Sequence, residues 1–89
     1  MITIYKYEIP MEDKFSLNLP KGAKLLTCQL QFLTPVLWAW VDTKEPLEKR
    51  NFLLIGTGQE FPEKFRCFYI GTFQVGEFVG HLFEELTKE

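Results

Sequence analysis

Apolar and polar residues alternate with a period of two along most of this chain of 89 residues, the period of strands with one buried face. The alternation is unbroken in Lys14-Phe15-Ser16-Leu17-Asn18-Leu19, so one side of that segment faces a core and the other faces water. About seven such runs are visible: Ile2 to Ile9, Lys14 to Leu19, Leu25 to Phe32, Val36 to Val41, Arg50 to Thr57, Phe65 to Phe73 and Phe78 to Leu86. The first presents Thr3, Tyr5, Tyr7 and Ile9 on one face and stops at Pro10, which cannot donate to a strand ladder. The third sets Leu26, Cys28, Leu30 and Phe32 against Thr27, Gln29 and Gln31, with Leu25 on the polar side. The fourth sets Leu37, Ala39 and Val41 against Val36, Trp38 and Trp40. A strand apolar on both sides is either covered on both or devotes its second face to a partner or ligand.

Turn residues separate the runs. Pro20-Lys21-Gly22-Ala23 reads as a tight reversal with a positive φ at Gly22, and Leu33-Thr34-Pro35 is short enough for a hairpin. The most polar connection, Asp42 to Lys49, reads as a solvated loop with room for one helical turn, and Gly58 to Lys64, containing Pro62, is a second loop. Phe78, Leu82, Phe83 and Leu86 also fit one helical stripe, but Gly80 and the Phe-Val-x-His-x-Phe pattern favour a strand. Thr87-Lys88-Glu89 reads as a frayed tail. The expected fold is all-β: one domain over residues 1–89, a small antiparallel sandwich or partly open barrel of six to seven strands.

Composition adds an excess of rings: nine Phe, three Tyr and two Trp. A chain of this length has a thin core, so rings left outside it mark a ligand pocket or the interface of a homo-oligomer. A net charge of −2 offers no basic field for duplex nucleic acid. No apolar run reaches the length of a membrane span, and the start, Met1-Ile2-Thr3-Ile4-Tyr5-Lys6, lacks the architecture of a signal peptide. A cytoplasmic location follows as the expectation. Cys28 and Cys67 lie in apolar segments, where a reduced thiol packs as a small hydrophobe.

Catalytic machinery is hard to assemble from these residues. His81 is the one histidine and Ser16 the one serine, neither cysteine has a partner at metal-ligand spacing, and no Gly-x-Ser-x-Gly elbow occurs. The reading is a binding protein with no metal and no cofactor. Trp38 and Trp40 put two indoles on one side of a strand, about 7 Å apart by strand rise. They pack beneath the 42–49 loop, or at a subunit interface, or form a stacking platform for a flat ring such as a nucleobase, with Arg50 or Arg66 gripping a phosphate. Gln29 and Gln31 share a face of the neighbouring run, to read base edges or to meet solvent. His81 is either a half-buried histidine bonded to a neighbouring carbonyl or a ligand contact. Ile55-Gly56-Thr57-Gly58-Gln59 is echoed by Ile70-Gly71-Thr72-Phe73-Gln74. Glycine inside a strand lets a sheet bend or admits another backbone or a ligand. If those two runs pair as antiparallel neighbours, their Gly-Thr steps fall at opposite ends of the hairpin.

Ile4-Tyr5-Lys6-Tyr7-Glu8, Leu19-Pro20-Lys21-Gly22-Ala23, Leu37-Trp38-Ala39-x-Val41-Asp42, Gly56-Thr57-Gly58 and Val79-x-His81-x-Phe83-Glu84 together resemble a family of short phage and prophage proteins of unknown function. The resemblance spans nearly the whole chain. It supplies no catalytic residue and implies a non-enzymatic phage protein, active in the host cytoplasm, that counters host defence. Such a protein sequesters a nucleotide-type immune signal at a subunit interface or blocks a host defence protein. The alternative is a structural or assembly accessory of the virion without a ligand. Gly80 departs from the larger residue expected before the histidine, and a pocket at that position would be roomier here.

Overall fold

The computed structural model describes residues 1–62 and 66–86. Seven strands form: β1 (Ile2–Glu8), β2 (Lys14–Pro20), β3 (Lys24–Gln31), β4 (Thr34–Asp42), β5 (Leu47–Gly56), β6 (Cys67–Val75) and β7 (Phe78–Glu85). They make two antiparallel sheets, one ordered β1-β4-β3 and the other β2-β5-β7-β6, packed as a sandwich and not closed into a barrel. No helix occurs among the described residues. The segment from Phe78 is therefore a strand, and the helical turn allowed for in the 42–49 connection does not form. That connection shrinks to residues 43–46, because Asp42 closes it twice: its carbonyl oxygen accepts from the Glu45 amide (3.0 Å) and its Oδ1 accepts from the Lys44 amide (3.1 Å). The expected start of the sixth run at Phe65, the end of the 58–64 loop and the tail at 87–89 lie outside the described residues.

Alternation sorts side chains into an inner and an outer set. Leu37, Ala39 and Val41 of β4 meet Phe52 and Leu54 of β5, Phe15 and Leu19 of β2, Phe73 of β6 and Leu82 of β7 in a single core. Phe15 lies directly opposite Phe52 in the β2/β5 register, and their rings stack at 5.3 Å and 12°. A cross-strand aromatic pair of this kind adds about 0.5–1.5 kcal/mol beyond its burial.

Each sheet has a bulged edge, and the two bulges lie in strands that face each other. In β3 the register shifts between Leu25 and Thr27, which turns Leu25 onto the core and leaves Leu26 outside. Strict alternation had placed these two the other way round. In β6 the shift falls between Tyr69 and Gly71. A Cβ added at Gly71 would sit 2.9 Å from Cys28 Sγ, with the Cys28 backbone N and O at 3.6 and 3.7 Å. The missing side chain thus lets β3 close onto β6. Gly80 faces the core as well: an added Cβ there would meet the Phe78 ring at 2.7 Å and Leu54 at 3.0 Å. The position is buried against these side chains.

The turn chemistry follows expectation at one reversal and departs from it at another. Gly22 has φ 81°, and the Ala23 amide donates to the Pro20 carbonyl (3.0 Å). The β3–β4 hairpin, in contrast, turns on Phe32 and Leu33, at φ 51° and 71°, between Gln31 and Thr34, and Thr34 and Pro35 belong to β4. Two positive φ values mark a type I′ turn, whose usual residues are Asn and Gly. A left-handed conformation costs an ordinary side chain roughly 1–2 kcal/mol.

Both cysteines are free thiols, Cys28 buried and Cys67 half-buried. Burial pushes the Cys28 thiol up to about 11 from its ordinary 9.0. The folded chain then keeps this proton where the unfolded chain has lost it, so stability is intact below pH 9 and falls as pH rises through 9 to 11. Denaturation midpoints measured across that window should drop less steeply in Cys28→Ala than in the parent. Gly71→Ala should destabilise by about 1–3 kcal/mol through overpacking, and chemical denaturation of the double variant with Cys28→Ala should recover part of that loss.

Candidate functional site

The outer face of the three-stranded sheet holds the aromatic residues that the core does not claim. Across β1, β4 and β3 the register aligns Ile4, Trp40 and Lys24 in one row, Lys6, Trp38 and Thr27 in the next, and Glu8, Val36 and Gln29 in a third. Trp40 is 40% exposed and Trp38 half-buried, so the 43–46 turn leaves the indoles accessible. Lys24 Nζ stands over the Trp40 ring at 5.3 Å, a cation held against a π face. Lys6 Nζ donates to Gln31 Oε1 at 2.6 Å, a bridge that crosses β4. Exposed Ile2, Ile4 and Leu26 extend the apolar end of this face. Trp38, Trp40, Gln29 and Gln31 are thus brought together.

The remaining predicted contacts lie elsewhere. Arg50 sits on the inner side of β5 at one end of the sandwich. Its Nε and Nη2 donate to the two Glu84 carboxylate oxygens (2.6 and 2.9 Å) and its Nη1 donates to the Ala23 carbonyl (2.6 Å). The hydrogen bond to Glu84 raises the guanidinium above its ordinary value against the opposing effect of burial. The pair is 18% and 14% exposed, and it ties β5, β7 and the β2–β3 turn together where the core runs out. Cavities of about 430 and 330 Å³ flank it, both lined by Ala23, Arg50, Phe68 and Glu84. Arg66 is exposed ahead of β6, its carbonyl oxygen accepting from the Leu86 amide (2.9 Å).

His81 occupies the outer face of the four-stranded sheet and bonds to hydroxyls, not to a carbonyl. Thr57 Oγ1 lies 2.7 Å from Nε2, Thr72 Oγ1 lies 2.9 Å from Nδ1, and Tyr69 continues the chain through its hydroxyl to Thr72 Oγ1 (2.6 Å). The two Ile-Gly-Thr echoes therefore converge on one imidazole. They do so because β7 inserts between β5 and β6, which removes the expected hairpin pairing that would have held them apart. Phe83 lies beside this chain, with Tyr69 at 5.5 Å and Phe61 edge-on at 5.1 Å and 88°. A cavity of about 260 Å³ opens between Phe61, His81 and the Gly56–Gly58 turn. Sequence reasoning misses Thr57 and Thr72, whose Ile-Gly-Thr echo it sets at opposite ends of a hairpin and so against a shared site; the echo is the one signal that could have found them, and Tyr69, Phe61 and Lys24 carry none.

No group of three or more potential metal ligands occurs among the described residues, and no helix among them is long and apolar enough to cross a membrane. Fold and surfaces together define a small antiparallel β-sandwich with aromatic outer faces. The chain belongs to the family described as a domain of unknown function, DUF7352, whose model matches residues 1–89. No curated protein and no solved structure matches it.

Breaking the ion pair on one side strands a charge. Glu84→Leu alone should cost about 3 kcal/mol, the low end for a buried pair because both groups still reach water, while Arg50→Met with Glu84→Leu should lie within about 1 kcal/mol of the parent. Urea denaturation of the two variants distinguishes these outcomes.

Proposed function

We propose that this chain is a phage-encoded, non-enzymatic binding protein that counters host antiviral defence by sequestering a nucleotide-type immune signal on the outer face of its three-stranded sheet. The observation that carries the reading is the exposed Trp40 ring with Lys24 held over it, in line with Trp38, while Gln29 and Gln31 lie two and three rows further along the same face. Exposed indoles accept any flat base, glutamine amides match base edges, and lysine ammonium groups attract phosphate. In this reading Lys24 and Lys6 make the phosphate contact expected of Arg50 or Arg66, since Arg50 is committed to Glu84 and Arg66 lies ahead of β6 in the other sheet. A flat face encloses a small ligand only beneath a second surface, and a second subunit supplies it in this reading. The phage context rests on the resemblance of the sequence motifs.

A second reading, direct blockade of a host defence protein, is favoured by the flat apolar end of the same face, where Ile2, Ile4, Trp40 and Leu26 are exposed.

Tryptophan fluorescence titrated with a panel of linear and cyclic nucleotides tests the first reading. At least one of them should quench the signal saturably, and Trp40→Ala should weaken its binding by roughly 1–3 kcal/mol, the worth of one stacked base. Arg50→Lys should bind as the parent does. A panel that leaves the fluorescence unchanged, with no ultraviolet-absorbing species released from the purified protein on heating, sinks the nucleotide reading. Copurification with one host protein, lost in Trp40→Ala, moves the assignment to blockade.

A further inference from the structure

The strands run between two ends of the sandwich that differ in charge and in shape. At one end the connections are 9–13, 32–33, 57–62 and 76–77. They carry Glu12, Asp13, Glu60 and Glu77, and no Lys or Arg among their described residues. From this acidic rim projects the β3–β4 turn, with Phe32 93% and Leu33 82% exposed and both held at positive φ. Large apolar side chains gain nothing from such a position in an isolated chain, and Asn-Gly would make the same turn without strain. The connections at the opposite end carry Lys21, Lys44, Arg66 and the N-terminal amine against the single acid Glu45 among their described residues, the amine facing Asp42 of β4 at 3.6 Å. There the cavity of about 330 Å³ opens beside Lys24 and is lined by Leu25, Leu26, Phe68 and Ile70. Phe68 pairs with Glu84 on the inner side of the sheet and is nevertheless 61% exposed. A cavity on the order of 150 Å³ admits one benzene ring, so this one has room for a phenylalanine ring and part of a leucine.

We infer that the Phe32–Leu33 tip of one copy docks into the Phe68 cavity of the next, acidic rim against basic rim. Sign and shape both match. The contact joins two different surfaces, so it is heterologous and builds a ring or a filament instead of a twofold dimer. It uses neither tryptophan and is independent of the ligand reading above.

Sedimentation velocity and light scattering over about three decades of protein concentration test it, with two variants. Phe32→Asn with Leu33→Gly removes the tip and suits the turn, so its melting temperature should match or exceed the parent's while self-association weakens by about tenfold or more. Phe68→Asp blocks the cavity and keeps the tip. Free of nucleotide, each variant alone should be mainly monomeric, and an equimolar mixture should form a 1:1 dimer that grows no further, because the first retains the cavity and the second retains the tip. A parent that stays monomeric throughout, a tip variant that associates as the parent does, or a mixture that stays monomeric overturns the proposal.

Discussion

Cys28 rests in the gap left by the missing side chain of Gly71, and this contact sets how closely the edge of one sheet approaches the edge of the other. The sandwich measures 40 × 37 × 16 Å between Cα extremes, thin enough for one layer of core side chains and no second. With β3 drawn onto β6, the inner faces of β4, β5 and β7 close over Leu37, Phe52 and Leu82, all fully buried. The bulges in both contacting strands disrupt the edge ladder that another chain would otherwise extend. Where the contact ends, beyond Leu25 and Ile70, the core opens, and the Arg50–Glu84 pair stands at the opening.

A single thin core gives the remaining apolar residues a different meaning. Trp40, Ile4, Phe32 and Phe68 are exposed because the two layers leave no interior for them, and each lies on a surface with chemistry of its own. Trp40 carries a lysine over its ring, Phe32 projects from an acidic rim, and Phe68 stands in a cavity beside the ion pair. Exposed apolar area of this extent, rimmed by charge, characterises surfaces that meet partners. His81 is held from both sides by threonine hydroxyls from flanking elements, which fixes the ring orientation beside the Phe61 cavity.

The period-two pattern was sufficient for the fold class and for seven strands, because a strand with one buried face writes its orientation into alternate residues, as β2 does from Phe15 to Leu19. It also placed Trp38 and Trp40 opposite Leu37, Ala39 and Val41. It failed where one extra residue breaks the count: the bulge at Leu26 exchanged the faces of Leu25 and Leu26. It failed again at Phe32–Leu33, since neither residue carries the backbone signal of a type I′ turn. Arg50 looked like a free phosphate ligand because its partner, Glu84, is 34 residues away on a strand whose position beside β5 depends on sheet order. Sheet order is a long-range property, and no local signal reported that β7 divides β5 from β6 and brings Thr57 and Thr72 to one histidine.

In the proposed function, the outward rings that the core cannot take capture a ligand between copies of this chain. Native mass spectrometry of the protein isolated from phage-challenged host cells tests that directly, because stoichiometry and retained ligand appear in one spectrum. The expected result is assemblies of several copies carrying additional mass of nucleotide size, released on activation. Bare single chains at every concentration would contradict it.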